Sequence, residues 1–76
     1  MKLEEFIKNV ADQFDDTDPS LIKADTVFKE LEEWSSLIAL SVIAMVDEEY
    51  EVTLKGDDIR NSRTVEDLFN AVKAKM

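Results

Sequence analysis

The sequence predicts an all-α domain, a small four-helix bundle with three long helices and one short third helix. Three segments place apolar residues at helical spacing, and they lie at the start, the middle and the end of the chain. Only one glycine and one proline interrupt its 76 residues. The predicted bundle also contains a long loop between its first and second helices.

Length and composition limit what this chain does. At 76 residues it is expected to form a single domain, residues 1–76. The absence of cysteine and histidine excludes disulfides and thiolate or imidazole chemistry, and a net charge of −9 argues against nucleic acid as a partner. The charged, amphipathic start shows no signal peptide or membrane span. We therefore expect a cytoplasmic monomer that is not an enzyme and whose partners carry basic patches.

The first helix is predicted over residues 2–15, where apolar residues recur at helical spacing, and it ends in the turn-forming DDTDPS segment around Pro19. The following loop is long, so apolar side chains should pin it, with one or two short helical turns. The stripe consists of Leu3, Phe6, Ile7, Val10, Ala11 and Phe14, and the pins are Leu21, Ile22, Val27, Phe28 and Leu31.

The second helix is predicted over residues 36–49, with Ser35 or Ser36 as N-cap. It is apolar on nearly every side, so two stripes compete for the core. The larger, unbroken stripe should pack inward, and the other, which contains a hydroxyl, should face a partner. The inward set is Ala39, Val42, Ile43, Val46 and Tyr50, and the outward set is Leu37, Leu40, Ser41, Ala44 and Glu48.

Two further helices complete the predicted bundle. Gly56 breaks the chain before a short helix at residues 57–60. Thr64 and Asp67 then have the spacing of a capping box for the last helix. Its apolar stripe is Val65, Leu68, Phe69, Val72 and Met76.

The run Glu33-Trp34-Ser35-Ser36-Leu37, followed by an apolar helix that ends in acids, resembles the acyl carrier protein family. The resemblance covers essentially the whole chain. It implies that Ser36 carries covalent 4′-phosphopantetheine, attached by a phosphopantetheinyl transferase. The arm would hold acyl groups as thioesters for enzymes of fatty-acid, polyketide or related acyl biosynthesis. One departure is Ser35, because the family usually has Asp there, and a serine can cap the helix but offers no carboxylate.

The same resemblance leaves two alternatives open: a peptidyl or aminoacyl carrier, and an unmodified helical interaction module in which Ser36 is only a cap or an exposed serine.

Trp34 either closes the loop against the bundle or flanks the arm. Arg60 and Arg63 either face solvent or bind phosphate. The surface expected to contact partners comprises Ser35, Leu37, Ile38, Leu40, Ser41, Ala44, Met45, Glu48 and Ile59.

The acid-rich turn after the first helix partly resembles a calcium-binding loop. Asp16, Asp18 and Ser20 have the first spacings of an EF-hand loop. The glycine and glutamate that such a loop needs are replaced by Leu21 and Val27. We therefore predict no metal site.

Overall fold

The computed structural model describes residues 2–76 and contains four α-helices and no strand in that range. The helices are α1 (Leu3–Ala11), α2 (Ser36–Tyr50), α3 (Gly56–Arg60) and α4 (Val65–Ala74). The all-α prediction, with three longer helices and a short third one, is confirmed. The loop between α1 and α2 contains two 3₁₀ turns, at Pro19–Leu21 and Phe28–Glu30, as expected.

α1 is shorter than the sequence predicts. It ends at Ala11, and the chain then tightens, because the N–H groups of Gln13 and Phe14 donate to carbonyls three residues back, at 3.0 Å each. This tighter turn keeps Phe14 buried although it lies outside the helix. The apolar periodicity therefore continued past the end of the regular α-helix.

The core lies between α1, α2 and α4. Phe6 of α1 is fully buried, with its ring centroid 5.6 Å from that of Phe69 of α4 and 5.9 Å from that of Tyr50 of α2. The Tyr50 hydroxyl accepts a hydrogen bond of 2.9 Å from the Asn9 side-chain amide, which ties the end of α2 to α1. Aromatic contacts of this kind add to the burial energy.

The predicted apolar stripe of α4 and the predicted loop pins each need one correction. Four members of the α4 stripe are buried, but Met76 is exposed because α4 ends at Ala74. Among the loop pins, Ile22 and Phe28 are buried, whereas Leu21 is exposed at the end of its 3₁₀ turn. The sequence also did not predict that Val52 and Leu54, between α2 and α3, are buried.

The long loop is fastened to the start of α4. The carbonyls of Ala24 and Thr26 accept hydrogen bonds from Glu66 N–H (2.9 Å) and Val65 N–H (3.1 Å). Loop backbone thus satisfies two of the N–H groups that a helix start leaves unpaired. The predicted capping box is confirmed, since Thr64 Oγ1 accepts from Asp67 N–H and Asp67 Oδ2 accepts from Thr64 N–H, both at 3.1 Å.

Candidate functional site

Ser36 is the first residue of α2 and is exposed. The cap is supplied by its neighbour: Ser35 has extended backbone, and its Oγ accepts a hydrogen bond of 3.4 Å from Ile38 N–H. Of the two predicted cap candidates, the structure selects Ser35. The hydroxyl of Ser36 is therefore not needed to begin the helix.

The N–H groups of Ser36 and Leu37 point toward the open end of α2. They belong to the first turn, which has no intrahelical acceptors, and the cap of Ser35 serves only Ile38. These N–H groups and the helix dipole favour an anion at this end. A phosphate joined to Ser36 Oγ fits this environment, although Ser35 contributes no carboxylate beside it.

Two leucines lie next to Ser36 on the surface. The exposed fraction is 70% for Leu37 and 63% for Leu40. Ala44, one turn beyond Leu40, is exposed as well. The expected exposure of these three residues is confirmed.

Three members of the predicted partner surface are instead core residues. Ile38, Met45 and Ile59 are each only 7% exposed. The expectation that they lie on the surface was wrong. Ile38 and Met45 are buried because α2 is rotated relative to the predicted orientation, and Ile59 is the buried residue of α3. Its buried residues are Ile38, Val42, Met45 and Val46, whereas Ala39 and Ile43 lie only partly buried at the edge of the core.

The remaining predicted surface residues differ in exposure. Ser35 and Glu48 are exposed, and Ser41 is partly buried. No charged residue occurs between Glu33 and Asp47, so the first three turns of α2 present hydroxyl and apolar groups only. The acids Asp47, Glu48 and Glu49 follow at the other end of the helix.

The Glu33 side chain forms hydrogen bonds within the domain. Its carboxylate accepts hydrogen bonds from Asp15 N–H (2.7 Å), Asp16 N–H (3.0 Å) and Thr17 Oγ1–H (2.7 Å). The Thr17 hydroxyl, followed by the backbone N–H donors, holds the pKa of Glu33 below its usual range. No local sequence pattern predicts this contact, because the partners are separated by 16 to 18 residues.

Trp34 packs against aromatic residues of the core. Its ring centroid lies 4.9 Å from that of Phe28, in an edge-to-face arrangement, and 6.3 Å from that of Phe14. It is partly buried. These contacts agree with the interpretation that Trp34 closes the loop against the bundle.

The acidic turn and the arginines play local roles. Asp18 Oδ1 accepts from Ser20 N–H at 2.9 Å, which caps a 3₁₀ turn and lowers the pKa of Asp18. Residues 2–76 contain no group of three or more potential ligands placed to hold a metal ion. Arg60 and Arg63 are both exposed, and Arg60 pairs with Asp57 at 3.3 Å.

No protein-family model, no curated protein and no solved structure matches this chain. The likeness to acyl carrier proteins thus depends on the residues quoted above. Within residues 2–76, none of the helices combines the length and the hydropathy needed to cross a bilayer.

Proposed function

We propose that the chain is an acyl carrier domain, modified on Ser36 with 4′-phosphopantetheine. The observation that carries the proposal is the position of Ser36. It is an exposed hydroxyl on the first residue of α2, freed from capping by Ser35 and next to unpaired backbone N–H groups. These features support a phosphodiester at this position.

The chemistry of loading comes from coenzyme A and a transferase. Ser36 Oγ forms a bond to phosphorus, the pyrophosphate P–O bond breaks, and adenosine 3′,5′-bisphosphate leaves with the electron pair. The hydroxyl proton passes to a base of the transferase. The attached arm supplies a thiol that the chain itself lacks, and an acyl group on that thiol is delivered to fatty-acid or related biosynthetic enzymes.

The exposed part of α2 beside Ser36 is the surface we assign to partner enzymes. Leu37, Leu40 and Ala44 offer an apolar contact, and Glu48 lies on the same side of the helix further along. A transferase or acyl-transferring enzyme with an apolar contact and a basic rim complements this surface. Such a partner, once bound, would cover Ser36 together with these residues.

A second candidate is an unmodified helical interaction module. Ser35 favours it, because this residue stands where the resembled family has an aspartate, and the exposed leucines would serve a partner equally well without any arm. A peptidyl or aminoacyl carrier remains a variant of the first proposal and differs only in its cargo.

Intact-mass measurement tests the proposal directly. The purified chain is incubated with coenzyme A and a phosphopantetheinyl transferase of broad specificity, and we expect a gain of one phosphopantetheine. Ser36→Ala should abolish the gain, whereas Ser35→Ala should retain it, because Ser35 Oγ serves as the cap acceptor for Ile38 N–H and is not the attachment atom in this proposal. A mass that stays unchanged in the wild type would favour the interaction module. If Ser35→Ala abolished the mass gain and Ser36→Ala did not, the attachment site would be Ser35.

A further inference from the structure

The two ends of the loop between α1 and α2 are joined by a single side chain. Glu33, near the end of the loop, accepts three hydrogen bonds of 2.7–3.0 Å from Asp15, Asp16 and Thr17 at its beginning. Both carboxylate oxygens take part, and a carboxylate is a stronger acceptor than a neutral group. Glu33 thus closes the loop, although the acidic side chains of Asp15 and Asp16 stand close by.

Only two residues separate Glu33 from Ser36, and both are held in place. The Trp34 ring packs between Phe28 and Phe14, and the backbone N–H of Trp34 donates to the Leu31 carbonyl at 3.0 Å. Ser35 caps α2. A chain of three residues spans at most about 10 Å, so a displacement of Glu33 is passed on to the start of α2.

We propose that Glu33 is a positioning residue for Ser36. By fastening the chain just before the cap, its carboxylate keeps Ser35 and Ser36 in the conformation that the transferase accepts. The inference rests on the proposed function as far as the transferase is concerned. The effect on the start of α2 itself does not depend on it.

The expected kinetic signature follows from conformational populations. When Glu33 loses its bonds, the loop end samples several positions, and only a fraction of molecules presents Ser36 correctly. The apparent affinity falls by that fraction, whereas the step after docking is unchanged. KM for the carrier should therefore rise about tenfold, with kcat within about a factor of two, because loss of one charge-assisted hydrogen bond has roughly this effect.

Glu33→Gln is the central variant, since its amide keeps the size of the side chain but turns one acceptor into a donor. Glu32→Gln is the matched control: it removes the same charge from an adjacent, exposed residue. Thr17→Val removes one donor from the other end of the same contact without changing the charge. It should reproduce part of the effect of Glu33→Gln.

The experiment combines transferase kinetics with residue-resolved amide exchange on the intact chain. We expect Glu33→Gln to raise KM and to speed exchange at Ile38 and Ala39, whose N–H groups donate to Ser35. Glu32→Gln should change neither. An unchanged KM in Glu33→Gln, or the same increase in Glu32→Gln, would overturn the positioning role.

The exchange measurement keeps the two proposals separable. If the wild type accepts no phosphopantetheine, the carrier function is wrong, and exchange at Ile38 and Ala39 alone decides whether Glu33 orders the start of α2. If the wild type is modified but Glu33→Gln leaves both kinetics and exchange unchanged, the carrier function stands and the positioning role is refuted. A lower kcat at unchanged KM would also refute it.

Discussion

The two sides of α2 should respond oppositely to truncation. Val46 is completely buried, whereas Leu40 is 63% exposed. We expect Val46→Ala to destabilise the domain and leave partner transfer rates of the folded protein unchanged. Leu40→Ala should leave the stability nearly unchanged and slow transfer to partner enzymes.

The magnitudes follow from the burial of each side chain. Val46→Ala removes two buried carbon groups at about 0.8 kcal/mol each, and the residual cavity brings the loss to roughly 2 kcal/mol. In a domain of this size that lowers Tm by about 8–16 °C. Leu40→Ala is a surface change, expected within about 0.5 kcal/mol.

Urea unfolding at fixed pH and salt measures the unfolding free energy of both variants. Transfer of the acyl group is followed on the modified carrier at a temperature where each variant is folded. Ile43→Ala is an informative third variant. The sequence places Ile43 in the centre of the core stripe, but the structure leaves it partly buried, so its loss should lie between the other two. A Leu40→Ala protein as destabilised as Val46→Ala would refute this orientation of α2.

Four further outcomes are expected. Glu51 ends α2 in the left-handed region (φ 56°), so Glu51→Gly should raise the unfolding free energy by about 0.5–1 kcal/mol, whereas Glu51→Gln, which removes only the charge, should not match it. Moderate salt should raise Tm relative to 0.01 M, because it screens repulsion in a chain of net charge −9; an unchanged melting curve would contradict this. The pKa of Glu33 is lower in the folded state than the unfolded value of about 4.3, so its ionised form stabilises the fold above that value, and this contribution is lost as the pH falls through the folded value. The difference in unfolding free energy between wild type and Glu33→Gln, measured by urea titration, should therefore be largest near neutral pH and shrink below about pH 4. The same dependence is expected although Asp15, Asp16 and Glu32 lie nearby. Ser35→Asp should retain the cap and speed modification, and an unchanged rate would show that the carboxylate is dispensable.

Local signals in the sequence predicted the helices well. The capping box of Thr64 and Asp67 depends on residues three apart, and both of its bonds form. The periodic segments of α1 and α4 have a single apolar face each, so only one orientation buries it. For these elements the physical cause lies within one or two turns of chain.

The orientation of α2 could not be predicted in the same way. Nearly every position from Leu37 to Val46 is apolar, so several rotations bury a similar area. The contacts that choose between them come from other elements, and they place Ile38 and Met45 inward. By contrast, the burial of Val52 and Leu54 was missed although a sequence signal exists, because these two apolar residues alternate with the polar residues Glu51, Thr53 and Lys55.

The rotation of α2 also determines which residues lie beside Ser36 on the surface. Ser36, Leu40, Ala44 and Glu48 recur every four residues and are all exposed, so they form one continuous outward face. Along this face the first three turns carry no charge, and the acid Glu48 lies about 18 Å from Ser36 at 1.5 Å per residue. A partner that reaches Ser36 would thus meet apolar groups close to the attachment point and negative charge only at the distal end. The distal acids would affect the rate at which a partner and this chain encounter each other, and added salt would weaken that effect. The leucines would affect the lifetime of the complex.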